Sequence, residues 1–318
     1  MRPLRTALAG VLLGVTLLSG CGSSDTATPA PASAPAPGPT AAAGRSGPFP
    51  VTVQAANGAV TIAARPQRVV SLSPTATESL FAIGAGPQVV AVDDQSNYPP
   101  EAPKTALSGF KPNVEAITAE NPDLVIVSND LEGVVAGLGE VGVPVLVLTA
   151  ATKIDDAYAE IENLGTATGN RAKADEVVAG MKQKLADLAA KAPQAKLTYY
   201  HELDVTPYAA TSTTFIGQIY GLFGLVNIAD EAPDAAGGYP KLSAEFVAKA
   251  DPDLIFLADV KCCGQNAKAL AERPGWGGLK AVGSGDVVEL DDDVASRWGP
   301  RVVDLAEAIG AGVAKAAG

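Results

Sequence analysis

Few residues of this 318-residue chain have the types and spacing to do chemistry, and they fall into four groups. His201, the lone histidine, stands beside Glu202 in "YYHELD", where it could touch a bound molecule or the open face of a bound metal centre. Cys262 and Cys263 are adjacent, so they could close a vicinal disulfide in an oxidising compartment or stay as two thiols. With one histidine and no C-x-x-C, a protein zinc site is not expected. Gly137, Gly139 and Gly142 spell G-x-G-x-x-G in "GLGEVG", but the order is inverted. A phosphate-cradling loop follows a strand and opens a helix, whereas this one follows a helical pattern and precedes the strand "VPVLVLT". Its glycines are therefore helix-end and turn residues. No Walker lysine motif, G-x-S-x-G elbow or nucleophile–base pair is present, so the sequence predicts neither an enzyme nor a resident cofactor.

The fourth group is a repeat. "NVEAITAENPDLVIV", Asn113 to Val127, returns as "SAEFVAKADPDLIFL", Ser243 to Leu257, with Glu115 and Glu245, and both Pro-Asp pairs, the same 130 residues apart. Repeats are the first thing to seek in a chain. By itself, an acid in the first turn of a helix needs no function, because the macrodipole favours it by ~0.3–1 kcal/mol.

These residues need elements to position them, and the chain divides accordingly. "MRPLRTALAGVLLGVTLLSGC" has a basic start, a short apolar run and small residues before Cys21, the layout of a secretory signal over residues 1–20. The run is too short for a permanent span of about 20 residues. "LLSGC" resembles a lipobox, which makes Cys21 the expected lipidation site. Residues 21–50, rich in Ala, Pro, Ser and Thr, read as a disordered tether from the membrane surface. The formal charge of −12 becomes −14 once Arg2 and Arg5 leave with the leader. That acidity argues against nucleic acid, whose phosphates require Lys and Arg.

The remainder has two halves with one grammar. Strand, helix and Pro-interrupted loop lead to the glutamate helix, then to an uninterrupted apolar strand such as "DLVIVSN" or "DLIFLAD". Such strands are buried on both faces of a parallel sheet, and their alternation with helices implies right-handed βαβ units. The expected fold is α/β, two Rossmann-like lobes at 51–168 and 194–318. Between them, 169–193 read as one stiff helix with Val177, Met181, Leu185 and Leu188 at helical spacing.

Lipobox, tether, two α/β lobes and a single bridging helix resemble the substrate-binding proteins of ABC importers. More narrowly they resemble the class whose lobes one long helix joins, which captures cobalamin, ferric siderophores or haem. The motifs that carry the likeness are "RVVSLSPTATESLFAIGA", "NYPPEA", "VEAITAENPDLVI" and "SAEFVAKADPDLIF". The resemblance implies that Glu115 and Glu245 dock into arginine-bearing pockets of two permease subunits, which work with a cytoplasmic ATPase. It also implies a monomer on the outer face of the cell membrane, held by lipidated Cys21 alone. Ligand contacts belong at the carboxyl ends of strands: Ser73, Pro74, Tyr98, Phe110, His201, Glu202 and Tyr239. The cobalamin binders supply a closer match, with an Asp and an Arg four residues apart that here are Asp293 and Arg297.

Three departures bear on that ligand. Tyr239 stands where a tryptophan is usual, Gln95 where an aromatic would serve, and Phe223 where the cobalamin binders carry a cysteine. Cobalamin stays narrowly ahead of a ferric siderophore, with haem behind. The rival reading from another class is a lipid-anchored sensor that signals without transport.

Overall fold

The computed structural model describes residues 49–318 apart from Gln194. The expected signal peptide, Cys21 and the tether up to residue 48 lie outside the described residues. At the tether's expected end, Phe49 already packs against the core. A hairpin that the sequence reading passed over follows at once. Strands β1 (Val51–Ala55) and β2 (Gly58–Ile62) pair antiparallel, and they bury Val53 and Ile62.

The first lobe is a four-stranded parallel sheet of β3 (Val69–Leu72), β4 (Val89–Val92), β5 (Leu124–Val127) and β6 (Val145–Val147), in the order β4-β3-β5-β6. Every residue of β3, β5 and β6 is buried, as the unbroken apolar runs require. The second lobe holds β7 (Thr198–Asp204), β8 (Tyr208–Ala209), β9 (Val226–Asn227), β10 (Leu254–Leu257) and β11 (Val287–Glu289). Its order is β11-β10-β7-β8, with β9 beside the start of β7; only β8 runs antiparallel.

The bridging helix is Arg171–Lys191. It begins after Gly169, whose φ of 73° closes the preceding helix Ile154–Thr168, and it stops before Pro193. Ala174, Val178, Met181 and Leu185 form its buried stripe. Val177 and Leu188, two of the four positions expected to pack, lie half-buried at the edge of that stripe. The helix packs on Ile154–Thr168 and on the closing helix Val302–Ala317.

Pleating then divides each sheet in the same way. Leu124 and Ile126 of β5 and Leu254 and Phe256 of β10 face one shared central core. Val125 and Val127 face a separate outer cluster in the first lobe, and Ile255 and Leu257 face another in the second. A core continuous through both lobes and the bridge makes the pair stiff.

The repeat is structural as well as sequential. Asn113 and Ser243 cap their helices through side chains that accept from Ala116 N and Phe246 N. The helices end at Asn121 and Asp251, with φ of 51° and 45°. The aspartate after each proline then pins a neighbouring strand. Asp123 accepts from Gln67 N and Arg68 N, at 2.7 and 2.9 Å, just before β3. Asp253 accepts from the backbone N–H and hydroxyl of Thr198, at 2.9 and 2.8 Å, at the start of β7.

Candidate functional site

The glutamate helices Val114–Ala119 and Ala244–Ala250 each lead into a strand of a parallel sheet, so they run against strand direction. Their N-termini therefore lie level with the strands' carboxyl ends, the edge at which open α/β sheets bind ligands. Glu115 and Glu245, both exposed in first turns, share that edge with the loops after β4, β10 and β11.

Three aromatic side chains stand out there. Phe110 is 71% exposed, Tyr239 42% and Tyr98 41%. Phe110 lies three residues before the Asn113 cap and Tyr239 four before the Ser243 cap, so the two lobes offer them from corresponding places. Tyr98 follows β4 and carries the Arg301 guanidinium 4.1 Å over its ring. A cavity of about 490 Å³ opens beside it, lined by Phe81, Met181, Lys184, Arg301 and Asp304 among others.

The lobes meet through a charged clasp. Arg297 donates to Glu78 Oε1 at 2.7 Å, to Asn97 Oδ1 at 3.0 Å and to the Gln95 carbonyl at 3.1 Å, all from the first lobe. It also pairs with Asp293 at 2.7 Å, and Asp293 accepts from Asn97 Nδ2 at 3.0 Å. Arg301 adds two bonds to Glu78, which is 3% exposed. Trp298 Nε1 donates to Glu160 Oε2 at 2.8 Å, and burial pushes the Glu160 carboxyl up to about 7. Burial also pushes Asp293 upward, but Asn97, Arg297 and Lys261 outweigh it and hold its carboxyl below the usual range.

Under the clasp lies a network of buried polar groups. Thr77 Oγ1 donates to Ser71 Oγ and meets Ser96 Oγ, and Ser96 donates to Asp93 at 2.5 Å. This fixes the loop Gln95–Tyr98 that receives Arg297. Gly109 fits there because a side chain would strike Asp93 and the Leu72 carbonyl at 2.8 and 2.9 Å.

Several expected ligand residues have other work. Ser73 is 3% exposed, and its hydroxyl caps the helix Pro74–Ala82 by accepting from Ala76 N; Pro74 is the half-buried first residue of that helix. His201 is 1% exposed, its Nδ1 bonded to the Tyr220 hydroxyl at 2.8 Å, and burial pushes its pKa down to about 4. Glu202 is fully buried in a bidentate pair with Arg273, both distances 2.6 Å, and accepts from the Tyr200 hydroxyl. Ser73, His201 and Glu202 are thus core groups with no face to offer a ligand, which corrects the reading from strand ends alone. Asp293 and Arg297 sit at the seam but spend their hydrogen bonds on each other, on Lys261 and on the opposite lobe. Trp276, 1% exposed, packs edge-on to Tyr200.

The sequence reading missed Glu78. Its signal was a lone acid within the apolar helix "TATESLFA", with Arg297 and Arg301 far along the chain to receive it. Cys262 and Cys263 are exposed and joined as a disulfide in a short helix, Val260–Cys263. Among the described residues no cluster of three His, Cys, Asp or Glu could hold a metal ion, and no helix is long and apolar enough to cross a membrane.

Comparison with known proteins shows the family and the fold. A family model described as periplasmic binding protein matches residues 69–294. The ABC transporter substrate-binding lipoprotein YvrC of Bacillus subtilis is 31% identical over 317 residues, covering 95% of each chain. A cobalamin-binding protein of Halobacterium salinarum is 34% identical over 275 residues, 82% of this chain and 73% of its own. The crystal structure of the vitamin B12 binding protein BtuF of Vibrio cholerae superposes with a TM-score of 0.66 at 26% identity, covering 80% of this chain and 98% of that one.

Proposed function

The chain belongs to the periplasmic binding protein family, and on that premise we propose that it delivers a corrinoid to an ABC importer. As a solute-binding protein of such importers it works outside the cytoplasm, with a permease and its ATPase, and it is not an enzyme. The corrinoid, the lipid anchor at Cys21 and the docking roles of Glu115 and Glu245 are the parts proposed here.

The observation that carries the ligand is the set of exposed aromatic rings at the strands' carboxyl edge, beside a clasp whose cations are already paired. Arg297 is held by Glu78 and Asp293, Arg301 by Glu78, and Lys261 by Asp291 and Asp293 at 2.7 and 3.2 Å. A trianionic catecholate, or haem with its two propionates, would draw on Lys111 and Lys184, which make no ion pair among the described residues, and not on the clasp. A flat macrocycle edged with amides needs aromatic walls and a few hydrogen bonds, and Tyr98, Phe110 and Tyr239 supply exposed rings at the same edge. Cobalamin and vitamin B12 binders stand among the relatives, and haem binders among the solved structures of similar fold.

The test is calorimetric titration with cyanocobalamin, a ferric hydroxamate, a ferric catecholate and haem. Saturable binding of cyanocobalamin at micromolar concentration or tighter, with none for the catecholate, is the expected result. Haem or catecholate binding in the absence of cyanocobalamin binding overturns it.

A further inference from the structure

The disulfide loop and the clasp are one connected structure. Lys261 N and Cys262 N, in the turn that the disulfide closes, both donate to the Asp292 carboxylate, at 3.0 and 2.8 Å. Asp292 opens the helix Asp292–Ser296, whose cap is Asp291. Lys261 Nζ reaches the two flanking carboxylates, Asp291 at 2.7 Å and Asp293 at 3.2 Å. One further bond leads from Asp293 to Arg297, and the next to Glu78 and Asn97 in the other lobe. Every link is a hydrogen bond or an ion pair between named groups.

We propose that Cys262–Cys263 is a redox-modification site for a dithiol, and that reducing it loosens the clasp between the lobes. A disulfide between neighbours closes a small covalent ring through their own peptide unit, which keeps that backbone from turning freely. The Cys262 amide presented to Asp292 is bonded directly to a ring atom, Cys262 Cα, and the Lys261 amide lies one residue before it. Without the ring, the four-residue helix keeps its two bonds to the Asp292 carboxylate and one from Gly264 N to the Val260 carbonyl, too few to fix so short a helix. Asp292 then loses its fixed donors, and the helix carrying Asp293 and Arg297 loses its anchor.

The chemistry balances as thiol–disulfide exchange. One thiolate of the incoming dithiol attacks an exposed sulfur of the pair and forms a mixed disulfide as the Cys262–Cys263 bond breaks. The second thiolate of the reagent displaces the remaining cysteine. Two protons end on the cysteine sulfurs, and the reagent leaves as its own disulfide, having given up two electrons. Both cysteines are exposed, so the attack needs no unfolding.

The test uses the full chain in detergent, oxidised with diamide, then split into untreated and dithiothreitol-treated halves. Alkylation and mass mapping of the peptide holding both cysteines report the redox state. Hydrogen exchange reports the clasp. Reduction should speed exchange about tenfold at residues 293–298 as well as at 260–264. Cys262→Ser with Cys263→Ser should exchange at the reduced rate and ignore dithiothreitol. Asp292→Ala with Lys261→Met, which cuts both routes to the clasp but keeps the disulfide, should exchange fast at 293–298 in both states. Faster exchange confined to 260–264, a serine variant that still responds, or failure of diamide to form the bond overturns the proposal. None of these readouts needs a ligand, so they stand apart from the corrinoid reading.

Discussion

Glu78 Oε1 in the first lobe and Arg297 in the second lie 2.7 Å apart, with both side chains nearly excluded from solvent. Arg301 shares the same carboxylate, so one buried acid holds two cations from the opposite lobe. Such a pair gains little over an apolar contact, because both ions were desolvated to make it. Losing one member is costly, since the other charge stays buried.

Glu78→Ala should therefore destabilise the protein by ~3–5 kcal/mol. At roughly 2–4 °C per kcal/mol for a domain of this size, the midpoint of thermal unfolding should fall by about 10 °C. Glu78→Gln keeps one carbonyl acceptor, at the place where Oε1 takes a bond from each arginine, and should lose less. Scanning calorimetry decides, and a drop of under 2 °C for the alanine variant means the two arginines find other partners.

The Trp298–Glu160 contact predicts a pH dependence. Burial raises the Glu160 carboxyl to about 7, above its ordinary value near 4.5. Between those values the folded chain holds a proton that the unfolded chain has released. The contribution is therefore complete below pH 4.5 and is lost as pH rises through 7. Glu160→Gln should flatten stability across that window and be the more stable protein at pH 8. Emission of Trp298, in a Trp276→Phe background, should titrate near pH 7 in the parent and not in the variant.

His201 has the opposite sign. Its folded pKa, pushed down to about 4 by burial, lies below the 6.5 of a free imidazole. Below pH 6.5 the unfolded chain takes up a proton that the folded chain refuses, so stability falls as pH drops toward 4. His201→Gln should remove this slope. Urea midpoints at pH 7 and pH 5 measure it, and an unchanged slope shows that the imidazole reaches water.

If Glu115 and Glu245 are the docking knobs, Glu115→Ala with Glu245→Ala should abolish uptake in cells. Interfacial charge of this kind sets orientation and on-rate. Ligand affinity of the isolated protein should stay within about twofold, because both side chains are exposed and neither bonds to the clasp. Parallel loss of uptake and affinity would place these glutamates in the ligand site instead.

Much of the fold was legible because parallel sheets announce themselves. β5 and β10 are unbroken apolar runs, and the helices before them carry caps and proline stops. What stayed hidden depended on distant partners. Glu78 reads as an ordinary helix residue until the fold brings Arg297 and Arg301 to it, more than two hundred positions later. Ser73 follows β3 directly, whereas β7 runs on to Asp204 and so leaves His201 and Glu202 inside the strand; a cap, a tyrosine hydroxyl and Arg273 claim the three. Position along a strand can be read locally, but burial at its end depends on what packs over it. The short helices Val260–Cys263 and Asp292–Ser296 escaped for a related reason. Each is too brief to show a period, and each is held by the other's side chains.

The twin aspartates offer the sharpest check on the internal repeat. Asp253 receives the N–H and hydroxyl of Thr198, both part-buried, while Asp123 receives two N–H groups in a more exposed setting. Burial pushes the Asp253 carboxyl up, but Thr198 and Lys280 outweigh it and hold it below the usual range. A depressed folded pKa contributes stability above the unfolded value, lost as pH falls through the folded one. Asp253→Ala leaves the Thr198 N–H without its acceptor where water is scarce, at a cost of about 1–3 kcal/mol. Asp123→Ala lets water replace the carboxylate, so its loss should stay near 1 kcal/mol. Chemical denaturation of the two variants should rank them in that order, with the Asp253 variant also losing part of the acid sensitivity below pH 4. Equal losses would mean that the two lobes pin their strands in equally dry surroundings, against the exposure the structure gives Asp123.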